Sequence, residues 1–291
     1  MPMHSKKASV ADMLIYTTAG LISFICIAPF FYIVSVSLTD PAVYVPFKLY
    51  IVPDKMSFAS YAYILSNSNF ISAVKNTLFV TVIGTALNIA FTYTMAYALT
   101  KKNMPHRNVF MGVVIFALIF NAGIVPNYLL VKNLGLINSL WSLILPVLTN
   151  SWSLIVAKSF IDSLPEELEE SAKIDGCTEL GTFFRIIIPL SKASIATLTL
   201  FFAVGHWNTY FNALIYLTDS SKRTLQVYVK SLLVDASTNG AGTTGNVDLL
   251  NLPSETVRMA TVVLAMLPIM AVYPFVQRYF IKGVMLGSIK G

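Results

Sequence analysis

The chain is short of charge. Asp, Glu, Lys and Arg make up 12% of its 291 residues, about half the share carried by an ordinary soluble domain. It has two cysteines, Cys26 in an apolar run and Cys177 in an acidic stretch, so no disulfide framework is expected. The three histidines, His4, His106 and His206, are scattered, and neither HExxH nor CxxC occurs, which removes support for a zinc site. No GxxxxGK[ST] loop is present to cradle phosphates, and no GxSxG offers an exposed serine nucleophile. The chain is therefore expected to be no enzyme, with no metal and no cofactor of its own.

Apolar residues are plentiful, at 56%. One soluble core of this size could not bury that much apolar surface, so lipid is the expected solvent. Six runs approach the roughly 20 residues that a helix needs to cross a bilayer: residues 13–38, 71–99, 109–131, 139–161, 189–217 and 257–281. The expected fold class is all-α, a polytopic membrane protein with six transmembrane helices forming one domain over 1–291. The first run follows Lys6 and Lys7, but it is too long for a signal peptide and no small-residue cleavage site follows it. Lys6, Lys7, Lys101, Lys102, Arg107, Arg278, Lys282 and Lys290 all fall on one side of a six-span chain, and that side is expected to be cytoplasmic. Both termini and the loop 162–188 are then cytoplasmic, and the loop 218–256 is outside. Lys222, Arg223 and Lys230 in that outer loop run against the charge rule, which long loops obey poorly. Basic residues flanking spans account for the net charge of +6, and no nucleic-acid partner is expected.

Four of the runs are interrupted: "FNAGIVPNY", "LPVLTNSW", "GHWNTYFN" and "LPIMAVYP". Polar side chains and freed backbone groups at membrane depth must face protein or water. Together, Asn121, Asn150, Trp152, Trp207, Asn208, Tyr210 and Asn212 are expected to mark a water-accessible path. Their amides and rings suit sugar hydroxyls and ring faces, and Arg258 near the outer mouth could serve an acidic sugar. None of the six runs contains Asp or Glu. That counts against coupling to protons or sodium, and so against the alternative of a stand-alone secondary transporter or channel for a small polar solute.

The carboxylates are concentrated elsewhere. Glu166, Glu167, Glu169, Glu170, Asp175 and Glu179 lie within one stretch, "EELEESAKIDGCTE". Ser163 and Glu166 have capping-box spacing, Pro165 suits a first turn, and early glutamates favour the positive end of a helix dipole. Leu164, Leu168, Ser171 and Ala172 share one face, and Gly176 supplies a left-handed stop. A short helix off the membrane follows, then a turn from Thr178 to Arg185 leading to Pro189. Acidic helices are repelled by an anionic leaflet, so this one is expected to dock on a protein, with its charges free for a basic cleft.

The same stretch resembles the EAA loop of permease subunits of binding-protein-dependent ABC importers. Glu170-Ser171-Ala172, then Gly176, then Ile186, Ile188 and Pro189 match its spacing. "AKIDG", the fifth-run "HWNTYFNALIYL" and the tail "KGVMLGSIKG" resemble the carbohydrate branch and its maltose-type partner subunit. The resemblance implies a bacterial cytoplasmic-membrane, multi-pass subunit that couples to a separate ATPase through Glu170, Ser171, Ala172, Asp175, Gly176, Ile186 and Pro189. Ala172 would be the close-packing point against the ATPase. The tail Gly287, Ser288, Ile289, Lys290 and Gly291 would reach the ATPase too. It further implies a second homologous permease, two ATPase copies that bind ATP and magnesium, and an extracytoplasmic sugar-binding protein. Oligosaccharides are the implied cargo, uronate-containing ones such as alginate or pectin fragments among them.

Overall fold

The computed structural model describes the backbone of residues 10–239 and 254–287, and the side chains of 12–234 and 254–272 within them. In order, the helices are α1 (Val10–Ser37), α2 (Ala59–Ser66), α3 (Ser68–Thr100), α4 (Arg107–Ile119), α5 (Ile124–Asn133), α6 (Ser151–Asp162), α7 (Glu166–Ile174), α8 (Glu179–Thr182), α9 (Ile188–Leu190), α10 (Lys192–Trp207), α11 (Phe211–Tyr216), α12 (Leu225–Asn239) and α13 (Glu255–Gly287). No strand occurs among the described residues, only an isolated bridge between Thr39 and Met56. The chain is all-helical, as expected.

The chain divides into two units, one of residues 1–67 and 231–266, the other of 68–230 and 267–291. In the first, α1 is apolar on every side, with Met13, Tyr16, Phe24 and Phe31 all exposed. A helix that is apolar all round has no aqueous face. Its 26-residue apolar segment Asp12–Ser37 is long enough for a bilayer core. Ser60 Oγ donates to Thr256 Oγ1 at 3.0 Å. Arg258 is not a free cation for a sugar acid: its guanidinium pairs with Glu255 at 2.9 Å and its side chain is only 13% exposed.

The second unit is built on α3. Thr77, Gly84, Thr85, Asn88, Thr92 and Ala96 line one buried face of this helix, and small or short side chains let other helices come close. Around the C-terminal end of α3, Tyr93, Ala96, Leu154, Ala157, Phe183, Ile187 and Leu198 form one core cluster. Around its other half, Val80, Val131, Leu143, Ile144, Ala213 and Tyr216 form a second. Gly84 and Asn88 fall between the two.

Among the described residues, three helices, Asp12–Ser37, Ser68–Thr100 and Glu255–Val272, are long and apolar enough to cross a membrane alone. Two further candidates are bent pairs: Leu140–Val147 with Ser151–Asp162 at 49°, and Glu179–Leu190 with Lys192–Trp207 at 80°. The run 109–131 splits at Gly123, whose φ of +86° is open to glycine and strained for other residues; α4 and α5 on either side are short. Conversely, Pro268 and Pro274 do not break α13, which runs unbroken to Gly287. The segment 218–256, the loop expected to lie outside, holds a helix, α12; its part at 240–253 and the tail residues Ser288 to Gly291 lie outside the described residues.

Candidate functional site

Helix α7 is a nine-residue rod with Glu166, Glu167 and Glu169 in its first turn, where unpaired N–H groups favour negative charge. The capping box does not form. Ser163 Oγ turns back and donates to Phe160 O at 2.6 Å, and Pro165 takes the cap position without a side-chain bond. The C-terminal stop does form. Gly176 adopts φ +76°, its N–H reaches Lys173 O at 3.0 Å, and Cys177 N–H reaches Ala172 O at 2.9 Å. These two bonds make a Schellman motif. Thr178 then caps α8 by accepting from Gly181 N at 3.1 Å. Beyond α8 the helix widens into a π turn over Phe183–Ile187, which accommodates the missing N–H of Pro189.

Half of the six acids around α7, namely Glu166, Glu169 and Glu179, are held by lysines within the chain. Lys101, just past the end of α3, reaches Glu169 at 2.5 Å and Glu179 at 2.8 Å. Its ammonium also lies 4.1 Å from the centre of the Tyr97 ring, and the Tyr97 hydroxyl donates to Glu179 at 2.9 Å. Lys102 pairs with Glu166 at 2.6 Å, and Lys173 with Glu179 at 3.4 Å. The Lys101 hydrogen bond, opposed by burial and helped by Tyr97, holds the Glu179 carboxyl down at about 2. Burial pulls the Lys101 ammonium down, but its bonds to Glu169, Glu179 and Tyr97 outweigh that and leave it raised.

Among the residues expected to couple, Ala172 is 4% exposed. Its methyl group packs inside this chain and is not available as an external contact point. Glu170, Ser171, Asp175 and Gly176 are exposed, Ile186 is half-buried and Pro189 is exposed. Glu167, Glu170, Ser171 and Ile174 sit together on the outward side at helical spacing, and Ile174 is 86% exposed. Glu170 makes no salt bridge among the described residues. Exposed Leu180 and Phe184 follow on the next turn.

A separate cavity of about 330 Å³ opens between α6, α10 and α11. Of the residues named from the sequence, Asn150, Trp152 and Asn212 line it, together with Asn88, His206 and Thr209. The others lie elsewhere. Asn121 accepts from Gly123 N in a local turn, Trp207 is buried, Asn208 bonds back to Val204 O, and Tyr210 packs against the second core cluster. No Asp, Glu, Lys or Arg lines the cavity.

Asn88, which the sequence reading passed over, organises the cavity wall. Its amide nitrogen donates to Val147 O at 2.6 Å and Leu148 O at 3.0 Å, carbonyls freed where the chain breaks before α6. Its Oδ1 lies 2.6 Å from His206 Nε2. Asn150 Oδ1 accepts from Ser153 N and so caps α6, while Trp152 meets Phe201 edge to face at 5.5 Å. Among the described residues no cluster of His, Cys, Asp or Glu could hold a metal.

Known proteins are similar to this chain. A family model described as "Binding-protein-dependent transport system inner membrane component" matches residues 93–285. The protein LplC of Bacillus subtilis is 43% identical over 99% of this chain and 98% of its own length. The polygalacturonan/rhamnogalacturonan transport system permease protein YtcP of the same organism is 40% identical over 98% and 100%. A crystal structure of a bacterial ABC transporter involved in the import of the acidic polysaccharide alginate contains a chain that superposes with a TM-score of 0.85 at 31% identity, over 96% of this chain and all of that one. The chain belongs to the binding-protein-dependent transport system inner membrane components, the non-catalytic permease subunits of ABC transporters.

Proposed function

We propose that this chain is one half of the translocation path of an ATP-driven importer of acidic oligosaccharides, fragments of uronate polymers among them. It crosses the bacterial cytoplasmic membrane six times, with both termini and α7 inside. A second homologous permease completes the path, an extracytoplasmic binding protein delivers the sugar, and two copies of a cytoplasmic ATPase bind ATP and magnesium. The names of YtcP and of the alginate transporter support the cargo class. The observation that carries the coupling reading is the outward face of α7. Glu170, Ser171 and Ile174 are exposed together, while Glu166, Glu169 and Glu179 are already held by lysines of the chain. An unpaired carboxylate beside an exposed isoleucine suits a cleft that offers a cation and an apolar wall.

The cavity fits a segment of the sugar path. Trp152 offers a ring face, and Asn150, Thr209 and Asn212 offer hydroxyl-matching groups.

Co-purification tests the coupling reading. Glu170→Arg combined with Ile174→Asp alters only exposed side chains, so the membrane subunits are expected to assemble while the ATPase is lost from the complex. Retention of the ATPase at the wild-type ratio would sink the assignment of α7.

A further inference from the structure

Lys101 joins α3, α7 and α8. Its ammonium bonds Glu169 on α7 and Glu179 on α8, and lies over the Tyr97 ring on α3. The two acids sit on opposite sides of the Gly176 turn. The backbone at that turn has a positive φ and no added steric support, since nothing stands within 4 Å of where a side chain at Gly176 would begin. Two lysines tie α7 to α8 across it: Lys173 reaches Glu179 at 3.4 Å from an exposed side chain, and Lys101 bonds both acids and also fastens the two helices to the end of α3. The lysine is only 22% exposed, as against 75% for its neighbour Lys102. An isolated exposed ion pair does little, but here one ordered ammonium serves two carboxylates and a ring.

Helix α3 leads from this clasp to the cavity. It is continuous to Thr100, and 13 residues separate Asn88 from Lys101, about 20 Å at the rise of an α-helix. At the far end Asn88 holds His206 of α10 and the carbonyls of Val147 and Leu148 before α6. A displacement of α7 therefore reaches two walls of the cavity through a rigid rod with a hydrogen-bonded fitting at each end.

We infer that Lys101 is a positioning residue for transport: it makes α7, α8 and α3 move as one lever, so that movement of the docked ATPase is delivered to the Asn88–His206 wall of the cavity. This rests on the assignment of α7 as the docking helix. Lys101 itself faces α3 and is not part of the docking surface. Its loss uncouples the two ends without releasing the ATPase.

The test uses the whole complex, with Cys26 and Cys177 replaced by alanine and Asn212→Cys introduced as a reporter in the cavity. Maleimide labelling of that reporter is compared between the nucleotide-free complex and the complex trapped with ATP and vanadate, so no knowledge of the sugar is needed. With Lys101 present, the labelling rate changes by about fivefold or more between the two states. With Lys101→Ala, the ATPase stays bound and still hydrolyses ATP, but the change shrinks to less than about twofold, and Lys101→Arg restores it. Should Lys101→Ala yield too little complex, Glu179→Gln is read in the same way and gives the same loss. A wild-type change in Lys101→Ala overturns the proposal, as does release of the ATPase from that variant, because Lys101 would then act on docking. Failure of the docking assignment is read separately, from the Glu170→Arg and Ile174→Asp complex with Lys101 intact.

Discussion

A methyl group added at Gly84 would lie 2.6 Å from His206 Nε2, the same nitrogen that stands 2.6 Å from Asn88 Oδ1. The imidazole fills a notch in α3 that only glycine leaves open, and it cannot turn aside without giving up its bond to Asn88. Gly84→Ala is therefore expected to destabilise the subunit by about 1–3 kcal/mol, the usual range for overpacking. In a His206→Ala background the same change should cost much less, because neighbours that share a contact are not additive. Thermal aggregation midpoints of the four proteins in detergent measure this. Equal losses in both backgrounds would show that the ring and the glycine do not meet.

Asn88→Leu keeps the branched shape and the number of side-chain heavy atoms but removes both hydrogen-bonding ends. It leaves the carbonyls of Val147 and Leu148 and the ring of His206 without their partner, at about 1–3 kcal/mol for each buried polar group left unsatisfied. Since these groups form the cavity wall, transport should fall more steeply than the amount of folded protein. Uptake by proteoliposomes, normalised to the amount of assembled complex, checks this; an unchanged normalised rate would mean that Asn88 only stabilises.

The sequence displayed some of this directly and concealed the rest for identifiable reasons. The acidic helix was legible because the glycine stop, the early glutamates and the apolar run beyond Pro189 are all local signals. Its partners were not. Lys101 stands 68 residues from Glu169, and no periodicity links two loops across a fold, so the acids looked free for a partner when half of them are held at home. Ala172 looked like an external contact because small residues permit close approach, but the chain uses that approach itself. Asn88 escaped notice because it lies inside an unbroken apolar run and its partners are carbonyls at another helix's break. The break in the run 109–131 is legible in "FNAGIVPNY", and the helix stops there at Gly123, whereas Pro268 and Pro274 overstate a break in α13.

Gly176 is held at φ +76° by the Schellman bonds that end α7. A side chain there would meet no neighbour, so the cost of Gly176→Ala is conformational, about 1–2 kcal/mol. Gly176→Val should be worse than Gly176→Ala, and Gly176→Asn milder than Val, since asparagine tolerates the left-handed region. The expected readout is graded ATPase retention in the purified complex, ordered Gly, Asn, Ala, Val. Retention that instead tracks side-chain volume alone, with Ala above Asn, would point to a contact surface and away from the turn.

The lysine clasp should be insensitive to pH through the physiological range, and the direction of each shift says why. Glu179 is held at about 2 against an ordinary 4.5. A lowered carboxyl contributes fully above its ordinary value and loses that contribution as pH falls through the folded one. Lys101 is raised above its ordinary 10.5, so its contribution is complete below that value and disappears only as pH rises past the folded one. Between about pH 5 and about pH 9 both groups keep the charge that the clasp requires. The difference in thermal stability between the wild type and Lys101→Met is thus expected to be constant over that window and to shrink below about pH 4.5 as Glu179 takes up its proton. Because Glu179 is 56% exposed, salt should reduce the difference modestly at every pH. A difference that titrates near neutrality would mean that some group other than these carboxylates faces Lys101, and the lever would then lack its fastening.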